Sequence, residues 1–513
     1  MPRDKFFKLF SSEVLYPFLI FLILLLLQVA YIIYEDHSSW FWHTESVNIA
    51  KSLVSEKGYA NPFLYETGDT SWILPLIPLL YAAVFALFGT NTIITYLILG
   101  ILGKLLIAAS LYFLQKAFDK YEINYNRFLL FFIFFSYFVI LTQYHIRIIY
   151  DKELFYFFTS LILYYSYDLI YHSKIKGLLI LSFLIPLSLA NLAIPFVSFF
   201  GFLFVFWLIK KIYHINPIGL TSELKFKHFL LAGFVFLVSV SIWTTRNYLT
   251  FNTFVLSKSN SWFEFYMSNI VDKKGILYSS TWRKEHPMEN EKLCNTINEY
   301  GEIQWLEQFE DKGKQYLKLN RLQYLKKAKN RLINIFLFTD YRDDFVGSDF
   351  LTNLDESEKQ VLEREKIIMR NRYLTINYDK DEFLSKIKYL SLKPETKTNL
   401  YTDWQKAKNR FYKDKFSPTW VFFGFTRATL PLLAMIVLII LTFMKIFKHP
   451  VFLGILLILY ISHFIPFIVI SHEIRYQQFV IILQITLVYL ALQEVIKYLK
   501  LDNIVPVLKF KTL

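Results

Sequence analysis

The 513-residue sequence contains one cysteine, Cys294. No intrachain disulfide is therefore available, and cysteine usage says nothing about redox compartment. The chain also lacks a glycine-rich phosphate loop, a Walker motif, a GxSxG elbow and an HExxH helix, which argues against a soluble nucleotide-sugar enzyme or an ATPase. It has no internal repeat and no low-complexity tract. Charge is scarce, at 19% of residues against 55% hydrophobic and 19% aromatic, and mean hydropathy is +0.35. Such a balance is too apolar for a soluble domain of this length and points to an integral membrane protein.

Apolar runs fall at Leu15–Tyr34, Thr92–Leu114, Phe128–Leu141, Leu154–Tyr171, Gly177–Ala193, Ile194–Leu208, Phe229–Trp243, Ala428–Met444, Val451–Ile470 and Phe479–Val495. Several approach the roughly 20 residues a helix needs to cross a hydrocarbon core of about 30 Å. The first run follows Arg3, Lys5 and Lys8 but is too long for a signal peptide and has no small-residue cleavage site, so a retained signal anchor is expected. Paired helices broken at mid-membrane by Gly and Pro, common in transporters, are absent.

The run Ile73–Phe88 is short and begins with Pro75 and Pro78. The positive-inside rule decides it. If it lies in the interface, then Lys116, Lys120 and Arg127, Lys174 and Lys176, Lys210, Lys211, Lys225 and Lys227, and Lys445 and Lys448 all fall inside with the N-terminus. The tail with Lys497, Lys500, Lys509 and Lys511 joins them. The net charge of +14 then reads as topology, not as nucleic-acid affinity. The expected fold is an α-helical polytopic membrane protein of about ten spans with juxtamembrane helices. Residues 1–246 form an N-terminal transmembrane module with an outer loop at 35–91. Residues 247–417, charged and patterned in Lys, Glu and Leu, form a mostly helical outer-face domain. Residues 418–513 supply C-terminal spans and a cytoplasmic tail.

That topology gathers acids and arginines on the outer face. Glu45 opens ESVNIAKSL, whose Val47, Ile49, Ala50 and Leu53 have partly helical apolar spacing. Asp151 and Glu153 follow the third span, and Glu473 stands between His472 and Arg475. Arg147, Arg246 and Arg475 lie at the same level. A guanidinium fork matches phosphate oxygens and a carboxylate can accept the proton of an acceptor hydroxyl, so the set suits a reaction on a lipid-linked phosphate. For each there is a plainer role, as an interfacial anchor or a solvated loop charge. Lys104 differs because it lies mid-span, where a cation needs a partner or a function. No cofactor is implied, and the spacing of Asp36, His43 and His472 gives a divalent metal site no support.

The order of short motifs resembles bacterial membrane glycosyltransferases of the GT-C type, a group that includes protein O-mannosyltransferases, aminoarabinose transferases and glycosyltransferase family 39. The matching residues are Glu45, Ile49-Ala50-Lys51-Ser52-Leu53, Gly58-Tyr59, Asn61-Pro62-Phe63, Thr67-Gly68-Asp69-Thr70-Ser71-Trp72, Pro75 and Phe88-Gly89. Then come Trp243, Arg246-Asn247-Tyr248, Glu264, Asn269, His286-Pro287, Gly301-Glu302 and Arg475-Tyr476. Roughly Asp344–Tyr412 is unmatched. Many such enzymes carry an acidic pair where this chain has His43 and Thr44, so Glu45 and Asp151 both stand as candidate bases. The resemblance implies inverting transfer of a sugar from a polyprenyl-phosphate carrier to a lipid, glycan or protein acceptor at the outer face of the bacterial inner membrane. It implies carrier-phosphate contacts from Arg246, Arg475, Arg147 and Lys104, and acceptor contacts from Trp72, Tyr248, Glu264 and Asn269. A lipid-linked glycan transporter or a glycan ligase is the competing class, and a structural or receptor protein a third.

Overall fold

A computed structural model describes residues 12–34, 44–90, 92–140, 151–172, 193–214, 224–256, 258–272, 275–276, 286–337, 425–471 and 474–499, with a few isolated positions besides. Helices make up nearly all the regular structure among them. Six stretches are long and apolar enough to cross a membrane. They are Glu13–Ala30 within α1 (Ser12–Tyr34), α4 (Ile93–Lys120), α8 (Phe226–Phe251), Phe425–Phe443 ending in α13 (Leu430–Phe443), α14 (Pro450–Val469), and Gln477–Tyr498 containing α15 (Ile481–Tyr498). The protein is thus a multi-pass helical membrane protein.

Three more of the expected runs are helical without joining those six. α5 (Arg127–Phe135) continues as a wider π turn, Ser136–Ile140. α6 (Asp151–His172) is 22 residues long but opens on Asp151, Lys152 and Glu153. α7 (Ala193–Tyr213) has 21 residues. Gly177–Ala193 falls almost wholly outside the described residues. Two short helices precede α4. α2 (Glu45–Val54) is amphipathic and α3 (Leu76–Phe88) apolar. With 13 residues, α3 is about 20 Å long at 1.5 Å per residue, too short to cross. Local chemistry fixes several starts: Thr44, Thr92 and Asn126 cap α2, α4 and α5 by accepting amide protons of Val47, Thr95 and Leu129.

Side-chain register orders the bundle. Glu13 of α1 pairs with Lys116 of α4, while Gln28 donates to the Tyr96 carbonyl at 3.4 Å, so α1 and α4 run antiparallel. They cross at Gly100, where a Cβ would stand 1.7 Å from the Gln28 amide. Lys120 pairs with Asp168 and Lys104 lies in the field of Lys152 and Glu153. The constant offset makes α4 and α6 parallel. Midway along α15 Tyr489 accepts the Asn126 amide proton at 2.7 Å, and nearer its end Gln493 donates to the Asn124 carbonyl. One end of the bundle therefore holds Glu13, Lys116, Lys120, Asn126 and the end of α15. The opposite end holds α2, α3, the start of α6 and the ends of α8 and α14.

The region after α8 folds at this second end, through α9 (Ser261–Tyr266), α10 (Glu291–Tyr300), α11 (Glu302–Leu319) and α12 (Arg321–Phe336). Its core is Phe63 and Trp72 from the loop before α3, packed with Phe263, Met288, Ile297, Trp305 and Phe309. It is joined to the bundle by a helix cap. The last carbonyls of a helix have no partner within it, and here Arg331 supplies one. Arg331, fully buried, donates from Nε to the Ile468 carbonyl at 2.7 Å and from Nη2 to Val469 at 3.3 Å. Asn269 takes the Ile470 carbonyl at 2.8 Å and Tyr324 donates to Val469 at 3.2 Å. A cation at the negative end of the α14 dipole adds to the hydrogen bonds.

Candidate functional site

The segment from Gly58 to Trp72 is held from two sides. Its turns need left-handed backbone at Gly58, Asn61 and Gly68, with φ of 77°, 55° and 75°. Asn61 meets that need by accepting from Thr67 and Gly68 amides at 2.9 Å each. From one side Arg246 donates Nη1 to the Thr70 carbonyl at 2.7 Å and Nη2 to the Tyr59 carbonyl at 2.9 Å. Asn247 and Asp69 accept from the same two nitrogens at 3.1 and 3.4 Å, and the guanidinium lies over Tyr59 and Trp243. From the other side comes Glu302, a wholly buried carboxylate. It accepts from Thr70 Oγ1, from Ser71 N and Oγ at 2.9 and 3.0 Å, and from Ser259 Oγ at 2.7 Å. Burial pushes its carboxyl above the usual range, against the pull of those donors.

This frame carries a carboxylate–imidazole pair. Glu45 is the first residue of α2, where the positive end of the helix dipole favours its anion. α2 is held down by Val47 and Ala50, which share one buried cluster with Ile77, Tyr81 and Phe85 of α3 and Tyr96 and Leu99 of α4. The Glu45 Oε1 lies 3.7 Å from His286 Nε2. His286 is 4% exposed and edge-on to Phe63, Trp72 and Phe263 at ring distances of 5.8, 5.6 and 5.7 Å. Its Nδ1 accepts the Met288 amide proton at 3.1 Å. A neutral imidazole so bonded carries its proton on Nε2, the atom that faces Glu45.

The residues singled out by sequence divide accordingly. Glu45 sits half-buried at this end, 19% exposed. Tyr248 is 51% exposed near the end of α8 and open to contact. Trp72 is 1% exposed, which makes it a wall of the His286 box and leaves no face for an acceptor. Asn269 is fully buried in the α14 cap, accepting from Arg331 Nη1 at 2.9 Å. Glu264 pairs with Lys258 at 2.8 Å and accepts from Ser471 Oγ at 3.1 Å, so it fastens the helical region to the end of α14. Arg246 has both terminal nitrogens engaged by the loop. Lys104, 1% exposed, lies within electrostatic reach of Glu153, itself 1% exposed, while Lys152 donates to Gln478 Oε1 at 3.1 Å. The mid-span cation thus has a carboxylate partner. Arg147, Asp36, His43 and His472 lie outside the described residues, as do the side chains of Asp151 and Arg475. Among the described residues no three His, Cys, Asp or Glu side chains converge as metal ligands.

His286 and Glu302 are the organising residues that reading by composition passes over. Each appears in the string of matched motifs, but nothing local to either marks it as buried and bonded across the chain. Fold and site together define a multi-pass helical membrane protein with a framed carboxylate–imidazole pair at one end of its bundle. No family model, curated protein or solved structure matches the chain.

Proposed function

We propose that the protein is an inverting GT-C-type glycosyltransferase with about ten spans, resident in the bacterial inner membrane with the Glu45 end facing the periplasm. It moves a sugar from a polyprenyl-phosphate carrier to a lipid, glycan or protein acceptor. The observation that carries this reading is the Glu45 carboxylate, poised at a helix start with its Oε1 3.7 Å from His286 Nε2. Glu45 accepts the proton of the acceptor hydroxyl as its oxygen forms a bond to the anomeric carbon. The bond from that carbon to the carrier phosphate breaks with its electron pair going to phosphate, and polyprenyl phosphate departs. A phosphate needs no protonation to leave, so one base suffices, unlike the paired carboxylates of glycoside hydrolysis. Asp151 is the alternative base. Arg475 and Arg147 are the cations proposed for the carrier phosphate. Arg246 serves the same site as the frame of its loop, and Lys104 is charge-balanced by Glu153.

The test is release of polyprenyl phosphate from lipid-linked sugar by the protein in proteoliposomes. Wild type is expected to release it and Glu45→Gln to stop, with the fold intact. Full turnover by Glu45→Gln would remove Glu45 as base. Translocation of the carrier without its consumption would replace the enzyme with a transporter.

A further inference from the structure

α12 is inside out for a helix on the surface of a soluble domain. Its protein-facing side carries Lys327 and Arg331, 4% and 0% exposed, bonded to carbonyls. Lys327 Nζ donates to Asn269 and Asp272 carbonyls at 2.7 and 2.6 Å. The opposite side, one stripe at helical spacing, presents Leu322 (78% exposed), Leu325 (59%), Leu332 (43%) and Ile333 (39%), with Lys326 and Lys329 among them. Leucines and lysines sharing an outward stripe suit neither bulk water nor a protein core. They suit the boundary of a bilayer, where apolar side chains enter the acyl region and cations meet phosphate.

The register of α12 against α14 puts that boundary on the helix. Tyr324 and Arg331 reach Val469 and Ile468 at the end of the span. Further along, Phe336 packs on Phe464 and Tyr460 at 5.5 and 6.2 Å, and Ile335 belongs to the core of the transmembrane bundle. α12 therefore descends antiparallel beside the last turns of α14. Leu332 and Ile333 stand at the depth of the span, and Leu322 and Leu325 at its mouth. At that mouth, where α11 meets α12, a cleft of about 790 Å³ is lined by Lys318, Arg321, Lys326, Lys327 and Asn330.

We propose that α12 is a bilayer-entering helix and that this basic cleft holds the phosphate headgroup of an anionic phospholipid from the surrounding leaflet. Its acyl chains lie along Leu332 and Ile333. Charge complementarity selects an anionic lipid, and the descent of α12 beside α14, a helix long and apolar enough to cross a membrane, selects the bilayer as its source. The inference is independent of what Glu45 does.

The full-length protein, purified in detergent, is incubated with equal amounts of phosphatidylglycerol and phosphatidylcholine of matched chains, and retained lipid is counted by native mass spectrometry. A basic residue near an anionic surface favours it by about fivefold, so a preference for phosphatidylglycerol of about tenfold or more is expected. The variant Lys318→Gln/Arg321→Gln/Lys326→Gln, which spares buried Lys327, is expected to lose it. Equal preference in the variant overturns the cleft. Displacement of phosphatidylglycerol by millimolar inorganic phosphate makes it a free-anion site and overturns the lipid. Depth is read separately, from nitroxide labels at Leu325→Cys and Leu332→Cys in nanodiscs. Oxygen is expected to exceed a water-soluble nickel relaxant at Leu332→Cys, with the order reversing toward Leu325→Cys. Water-like accessibility at both removes the bilayer-entering helix.

Discussion

The two ends of the bundle hold their charges differently. At the Glu13 end, Glu13 meets Lys116 and Arg127, and Lys120 meets Asp168 over the Tyr164 ring. These are opposite charges in contact, with side chains 16–36% exposed, and water shares the cost of keeping them. At the Glu45 end, Glu302 and Arg331 are buried among hydroxyls, amides and carbonyls. A half-exposed ion pair tethers two helices and is worth little. A buried charge ringed by neutral dipoles specifies a geometry, because every donor or acceptor around it is orphaned if it is lost. The lesson is that the Glu45 end is built as a rigid frame around the Glu45 and His286 side chains, and the Glu13 end as a set of tethers.

The sharpest break of that contrast is chemical. Glu45→Gln is expected to lower transfer by about 10²–10⁴, the usual contribution of a general base, with melting unchanged. His286→Gln, which can keep a donor toward Glu45, is expected to lower the rate less. Turnover of the lipid-linked sugar is the measurement, and equal rates would dissolve the pair. Next in size is the α14 cap. Hydrogen bonds from a charged group are worth about 1.5–3 kcal/mol each, so Arg331→Ala is expected to cost about 3 kcal/mol or more in detergent unfolding. Arg331→Lys should recover part of that. A loss no greater than that of a tether would show the cap to be ornamental.

Glu302 gives a pH test with a fixed sign. Its folded carboxyl is raised by burial, so its favourable contribution is present below the unfolded value and is lost as pH rises through the folded one. Melting temperature is expected to fall with rising pH across that window, and to flatten in Glu302→Gln, which keeps an acceptor oxygen. A slope unchanged in Glu302→Gln would assign the dependence elsewhere. Glu302→Ala leaves buried hydroxyl and amide donors unpaired and is expected to cost about 1–3 kcal/mol. Smallest is the tether: Lys120→Met should cost about 1 kcal/mol or less. Cys294, whose thiol burial pushes up to about 12, should resist maleimide until the protein unfolds.

Much of the bundle was legible in the chain. Run length located the six stretches that are long and apolar enough to cross a membrane, and charge bias kept Ile73–Phe88 from being counted as a span. Among the described residues Glu13, Lys116, Lys120, Asn126 and the end of α15 share one end of the bundle, and Glu45, Arg246, Glu264 and Asn269 the other. Roles were less legible than locations. Trp72, Asn269 and Glu264 were read as acceptor contacts from their place in a motif string, yet burial or bonding turns them to structural work. An acid, an amide and an aromatic look the same in sequence whether they line a cavity or close one.

The sequence by itself determined that this is a multi-pass membrane protein and where its long apolar helices lie. Those follow from composition and periodicity, which act over a few turns of chain. Only the tertiary structure decided that Glu45 faces His286, that Glu302 fastens Thr70 and Ser71, and that Arg331 closes the end of α14. Each joins residues far apart in the chain. Its energy comes from burial and from satisfied hydrogen bonds, which exist only once the helices have packed.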